Sequence, residues 1–554
     1  MAGGLLNIVA VGANNVFLTG NPCKTFFKAT YAKYSNFGLQ KFRIDYDGQR
    51  DLRSAEPSTF TFKIPRYADL LMDTYIVVTL PDIWSPVYPP TADTGYKWAP
   101  YEFKWIKNIG THMIKEIVIT CGSLTLQRYS GEYMAAMVDR DFSADKKELF
   151  YKMTGHSPEL NDPSVAHGRT NSYPSASFTP NTAGAEPSIR GRNLYIPINT
   201  WFTLNSTCAF PLVALQYNEL VVSITMRPVQ ELFQVRDVFD VEYNYPYIQP
   251  DFNESRFQMY RFLQTPPTAY IQPDDYDIRF LTWNADIHLL ATYCFLSKEE
   301  TQVFAAEDHV YLIKDVFEYK YENVTGSKRI KINSNGMIAS WMWYMQRNDV
   351  NLRNEWSNYT NWPYDRLPSN ITLAPFEPLL GTEYDLSYGM AVHPNLNNIT
   401  NSGITITGIY HNENRKEILE TLGILLNGDY RENLMTRGVY DYIEKYTRTA
   451  GAATEGLYCY NYCLNTSPFE YQPSGAINLS KFKTIELEIN TYSPTVDYVN
   501  SSYDIICDAE TGEAIGVRKS NWRLFEYNYN LTLFEERYNV LSFIGGNCGM
   551  LYSR

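Results

Sequence analysis

Thr59-Phe60-Thr61-Phe62-Lys63-Ile64 alternates polar and apolar residues one by one. Period two puts Phe60, Phe62 and Ile64 on one face of a strand and leaves the other face polar, a pattern that no helix can use. Runs of β type recur along the chain. In the first half they are Tyr75 to Leu80 (stopped by Pro81), Ile114 to Thr120, Leu124 to Tyr129, Leu194 to Ile198 and Val213 to Met226. In the second half they are Asp286 to Leu296, Val310 to Tyr321, Lys328 to Ile332, Met337 to Met345, Glu417 to Leu426, Gly456 to Leu464, Ala476 to Tyr492, Arg523 to Thr532 and Tyr538 to Ile544. The helical stretches are few and short: Gly131 to Asp141, Asp145 to Thr154 and Lys298 to Ala306. Two halves of about eight short strands each predict an all-β, duplicated antiparallel sandwich.

Turn chemistry sets the expected boundaries. Gly20-Asn21-Pro22 is a turn signal, because Gly tolerates positive φ and Pro biases the residue before it away from helix. Thr25 to Tyr31 follows, rich in aromatic and β-branched residues. It predicts a first strand from Thr25 with Phe26 and Phe27 in the core, preceded by an arm over 1–24. Cys121-Gly122-Ser123 predicts a hairpin tip. Asn335-Gly336 predicts a type I′ hairpin turn, and Asn427-Gly428 another turn. Pro is frequent between Tyr243 and Pro273. That places the domain junction near residue 250, with one sandwich over 25–250 and a second over 251–554. Three long loops remain, over 84–105, 155–193 and 346–402. A chain that spends so much of its length on loops around rigid sandwiches acts through surfaces.

Composition excludes several functions. The net charge of −13 opposes phosphate contacts, so direct binding to nucleic acid is not expected. No apolar run reaches the roughly 18–20 residues that span a bilayer. Gly3 to Val11 lacks the basic start of a signal peptide, so an unprocessed protein made in the cytosol is expected. The aromatic content is 15%, dominated by 45 Tyr, which suits both strands and protein interfaces. No CxxC occurs, and reduced thiols are expected. Cys459 and Cys463 would share a strand face about 13 Å apart, beyond disulfide reach. No Walker A, GxGxxG, HExxH or GxSxG pattern is present, and the His residues are scattered. Catalytic residues, metal ligands and cofactors are therefore expected to be none. Asn358, Asn370 and Asn398 are the sequons to watch for a glycan, because they fall in a long loop.

Several motifs, in order along the chain, resemble one family. Gly20-Asn21-Pro22 with Phe26-Phe27 looks like the opening of the major capsid proteins of nucleocytoplasmic large DNA viruses. Gly131-Glu132-Tyr133 and the run from Phe210-Pro211 to Gln216-Tyr217 are similar to its first domain. Asn427-Gly428, Gln472-Pro473-Ser474-Gly475 and Tyr538-Asn539-Val540-Leu541 with its following glycines resemble its second domain. Glu299-Glu300-Thr301 and Asn333 to Gly336 depart from the family pattern and leave the viral branch open. The resemblance implies two tandem eight-stranded jelly rolls with long loop insertions. It implies a homotrimer forming a pseudo-hexagonal capsomer that meets neighbouring capsomers in an icosahedral virion shell. It also implies minor capsid proteins and an internal membrane as inner-face partners. The aromatic loops add host surface glycans as an expected outer partner. The alternatives are a minor or penton capsid protein and a jelly-roll carbohydrate-binding protein.

Overall fold

The computed structural model describes residues 16–48, 51–92, 96, 98–176, 186–240, 245–267, 275–366, 415–494, 504–507, 514–518, 522–524 and 526–552. Sixteen strands build two sandwiches. The first eight are β1 (Phe37–Ile44), β2 (Ser58–Lys63), β3 (Leu70–Leu80), β4 (Ile114–Cys121), β5 (Leu124–Tyr129), β6 (Arg192–Pro197), β7 (Leu220–Met226) and β8 (His288–Leu296). The next eight are β9 (His309–Tyr321), β10 (Ser327–Lys331), β11 (Met337–Arg347), β12 (Leu419–Leu426), β13 (Asp429–Thr436), β14 (Leu457–Asn461), β15 (Ile485–Thr491) and β16 (Tyr529–Ile544). A last short strand, β17 (Asn547–Met550), folds back on β16.

The pairing order is the same in both sets. In the first, β1-β8-β3-β6 faces β2-β7-β4-β5; in the second, β9-β16-β11-β14 faces β10-β15-β12-β13. Every one of these pairs is antiparallel. The last strand of each set lies beside the first, and the two halves share one permutation. The fold is a double jelly roll.

Three helices match their sequence expectation: α1 (Gly131–Asp141), α2 (Ala144–Thr154) and α3 (Lys298–Ala306). Ser130 caps α1, its hydroxyl accepting the Tyr133 N–H at 3.3 Å. The β4–β5 hairpin turns at Gly122 with φ +61, as Cys121-Gly122-Ser123 predicts. Asn427 and Gly428 both take positive φ and join β12 to β13.

Four expectations are corrected. The first strand begins at Phe37, not Thr25. Phe37 pairs with Leu296, the last residue of β8, so the chain before it has no strand to pair with. Phe26 and Phe27 are consequently 88% and 99% exposed. The strand over 288–296, read as opening the second half, lies between β1 and β3 of the first sandwich. The proline-rich stretch near residue 250 is thus part of the connection from β7 to β8, not a break between units. Asn335-Gly336 joins β10 to β11, which sit in different sheets, so it is a corner and not a hairpin. Arg523 to Thr532 and Tyr538 to Ile544 are not two strands; a single strand runs from Tyr529 to Ile544.

One sheet is buried on both faces. From β11, Trp341, Trp343 and Met345 enter the core of the second sandwich, while Met342 and Tyr344 join the core of the first. From β16, Leu531 and Leu533 join the core of the second sandwich, and Phe534, Leu541 and Phe543 that of the first. The second sandwich therefore uses the back of its β9-β16-β11-β14 sheet as an interface with the first. This explains why Met337 to Met345 reads as a nearly unbroken apolar run.

Candidate functional site

Among the described residues no group of three or more His, Cys, Asp or Glu side chains could hold a metal ion. The chemistry that stands out is structural and lies between the sandwiches. α1 is buried almost all round, because it is clasped by both halves. Its last two residues, Arg140 and Asp141, are fully buried charges. Arg140 Nη2 donates to Asp141 Oδ2 at 2.7 Å and to Glu536 Oε1 of β16 at 2.8 Å. Arg140 Nη1 reaches Ser340 Oγ of β11 at 3.2 Å, and that hydroxyl donates to Glu536 Oε2 at 2.6 Å. Tyr133 OH donates to Glu536 Oε1 at 2.9 Å, and Thr466 Oγ1 to Asp141 Oδ1 at 2.5 Å.

Strand geometry explains how Glu536 gets there. Adjacent residues on a strand point to opposite faces. Glu535 turns into the second sandwich, where it accepts Trp341 Nε1–H at 2.8 Å and pairs with Arg537 at 2.6 Å. Glu536 turns toward α1. Burial alone would raise the Glu536 carboxyl, but the charges of Arg140 and Lys314 bring it down to about 2. Burial holds Asp141 above the usual carboxylate range despite Arg140, so Glu536 is the firmer anion of the two.

A second network lies beyond the end of β11. Asp349 accepts from Arg347 Nη2 at 2.7 Å and from Arg353 Nη2 at 3.0 Å, all three being buried. Burial opposes the Asp349 charge, but the Arg353 and Arg347 guanidiniums outweigh it and hold the carboxyl far below the usual range. The chain that follows grips the first sandwich's insertions. Asn354 Nδ2 donates to the carbonyls of Gln230 and Phe233 at 2.7 and 2.8 Å, Trp356 Nε1 to Glu231 O at 3.0 Å, and Tyr364 OH to Tyr247 O at 2.5 Å. The loop expected over 346–402 is therefore a largely buried clasp through residue 365, and 367–414 lie outside the described residues. The loop over 84–105 likewise carries buried aromatics: Phe103 stacks on Phe233 at 4.5 Å, and Trp105 meets Trp283 at 5.3 Å.

Both depressed carboxyls give the fold a defined acid limit. A carboxyl with a lowered folded-state pKa contributes stability that is complete above its unfolded value, near 4, and disappears as pH falls through the folded value. The urea midpoint is expected to hold from pH 7 to about 4.5 and to fall steeply toward pH 2. Asp349→Asn should show a lower midpoint at neutral pH and a flatter acid limb; an unchanged limb would remove Asp349 from the account.

The motif residues separate into three groups. Some bring distant segments together. Gln216 N–H donates to Gly546 O at 3.0 Å and Tyr217 N–H to the same carbonyl at 3.4 Å, joining the first sandwich to the closing hairpin. Gly546 has φ +81, and a Cβ there would lie 2.9 Å from Gln216 Cβ. Others shape a single turn. Ser474 Oγ donates to Asn465 O at 2.8 Å, Gly475 takes φ +136, and Asn427 and Gly428 take positive φ at theirs, where Asn427 Oδ1 also ties the turn to a distant segment by accepting Lys483 N–H at 2.7 Å. Gln472 precedes that first turn through Pro473, and Pro211 pairs with Leu70 on β3. A third group lies outside the core: Gly20, Asn21 with φ +49, Pro22, Phe26 and Phe27 are exposed. Of the three sequons, Asn358 is 3% exposed and its Nδ2 donates to Trp362 O at 2.8 Å, so it offers no site for a glycan in the folded chain. Asn370 and Asn398 lie outside the described residues.

Sequence reasoning missed Arg140, Asp141, Glu536 and Asp349. The available signal was charge in apolar surroundings: Glu535-Glu536-Arg537 interrupts a strand that is apolar on either side.

Residues 25–264 match a family model described as the major capsid protein N-terminus, and residues 300–549 match the model of the large eukaryotic DNA virus major capsid protein. The chain belongs to the major capsid proteins of large eukaryotic DNA viruses. It is 24% identical over 596 residues to the major capsid protein of Phaeocystis pouchetii virus, with 100% of both chains covered. It is 29% identical over 372 residues to that of Chrysochromulina ericina virus, covering 62% of this chain and 58% of the other. The crystal structure of PBCV-1 VP54 superposes with a TM-score of 0.58 over 96% of this chain and 100% of that one. At 18% identity that likeness is one of fold. Among the described residues of the capsid protein, a buried charged seam fixes one jelly roll against the other.

Proposed function

We propose that this capsid protein homotrimerises into a pseudo-hexagonal capsomer that tiles the icosahedral shell of a large DNA virus. One observation carries the reading: two sandwiches of identical strand order are held in a single orientation by a shared core and the Arg140–Glu536 seam. Two like-shaped units fixed side by side can alternate around a three-fold axis, and closed rotational symmetry then gives six similar sides. The unit boundary falls in 297–308, between β8 and β9. The N-terminal arm turns inward toward minor capsid proteins and an internal membrane, and the loop ends face outward, where host glycans are the natural contacts. Assembly takes place in the host cytoplasm.

Sedimentation equilibrium of the purified chain should give three times 63.9 kDa. A monomer that persists at micromolar concentration would overturn the reading. The minor or penton alternative is decided by copy number in virions, counted by quantitative mass spectrometry.

A further inference from the structure

The closing hairpin brings together two cysteines that are remote in sequence. Cys121 ends β4 at the tip of the β4–β5 hairpin. Cys548 lies in β17, opposite Phe543. β17 is part of the second sandwich, yet its hairpin lies along the first. Gly546 O accepts from Gln216 N–H at 3.0 Å, and Asn218 Nδ2 approaches Asn547 Oδ1 at 3.5 Å. The Asn218 side chain also abuts Gly122, where a Cβ would stand 2.7 Å from its Oδ1. Cys121 and Cys548 thus sit on either side of one tight contact between the sandwiches. Contact between the two thiols holds the Cys121 thiol below its ordinary value and the Cys548 thiol above it. Both are free thiols, Cys121 buried and Cys548 partly exposed.

We propose that Cys121 and Cys548 form a disulfide that staples the last hairpin of the second jelly roll to the first when the folded protein meets a disulfide oxidant. The oxidant is a low-molecular-weight or protein disulfide, RSSR. Cys548 Sγ, the accessible one, attacks one sulfur of RSSR as it gives up its proton, forms a mixed disulfide and releases one RS⁻, which takes up a proton. The Cys121 thiolate then attacks Cys548 Sγ and releases the second RS⁻. The two cysteine protons end on two RSH, so the pair loses two electrons and RSSR gains two. The bond closes a loop running from residue 121 to residue 548, and long closed loops restrict the unfolded chain most. A reducing compartment keeps the pair as thiols and an oxidising one closes it. The proposal does not depend on the oligomeric state.

The test uses the full chain, purified under reductant, exchanged into glutathione disulfide, alkylated and run on a non-reducing gel. Trypsin releases Cys121 within residues 116–128 and Cys548 within 538–554. The expected result is a faster-migrating monomer band and a linked pair of those peptides, both removed by dithiothreitol. Cys121→Ser and Cys548→Ser should each abolish the band and the linked peptide, while Cys208→Ser retains both. Far-ultraviolet circular dichroism of the reduced variants should match the reduced wild type, which separates loss of the bond from loss of the fold. Glutathionylation of exposed Cys23 without any 121–548 link would overturn the proposal, as would a fast band that survives Cys548→Ser.

Discussion

Replacing Arg140 with alanine is expected to lower the unfolding free energy by about 3–5 kcal/mol, the cost of breaking a buried ion pair by removing one partner. Two carboxylates, Asp141 and Glu536, would remain in a fully buried site, and Ser340 and Tyr133 would lose the charge that orients their hydroxyls around Glu536. The loss should fall on the contact between the two jelly rolls rather than on either sandwich alone. Chemical denaturation followed by tryptophan fluorescence gives the magnitude. A double-mutant cycle with Glu536→Gln gives the coupling. A coupling of more than about 1 kcal/mol is expected for groups in one network. A cost below about 1 kcal/mol for Arg140→Ala, which is ordinary for a surface change, would show that the seam does not hold the halves together.

Phe62→Ala is expected to cost about 3–5 kcal/mol, the usual range for emptying a buried aromatic site. Phe62 is 0% exposed, lies in the middle of β2 and packs edge-on against Tyr46 at 5.8 Å. The instructive partner experiment is the pair Phe26→Ala and Phe27→Ala. Both side chains extend from the arm into solvent, so each change should move stability by no more than about 0.5 kcal/mol. Their effect belongs instead to assembly, where an exposed aromatic arm can find a surface. Thermal melts of the three variants distinguish the cases. If the arm variants lose as much as Phe62→Ala, the arm packs on its own subunit.

Much of this fold was legible. Thr59 to Ile64 forms a strand because period two admits no other regular structure with those side chains. Gly131 to Asp141 forms a helix because Ser130 caps it and no Gly or Pro interrupts it after the first position. The candidate seam was not legible. Arg140 and Glu536 meet only because α1 of the first half lies under β16 of the second, across 396 residues of sequence.

The two Asn-Gly dipeptides show where local reading stops. Asn427-Gly428 makes a hairpin, because β12 and β13 are neighbours in one sheet. Asn335-Gly336 makes a corner, because β10 pairs with β15 while β11 pairs with β14 and β16. The residues are the same; the difference lies in which distant strands claim the flanks. The first strand failed for the same reason. Thr25 to Tyr31 has the right residue types, yet β8 ends opposite Phe37 and leaves it nothing to pair with. By itself, the sequence determined strand type, most hairpin tips, the helices and the duplication, all of which follow from periodicity and turn chemistry within a dozen residues. The tertiary structure decided strand order, the place of β8, the double burial of the β9-β16-β11-β14 sheet and the charged seam. Jelly-roll closure pairs the last strand with the first, and that long-range pairing has no local signature.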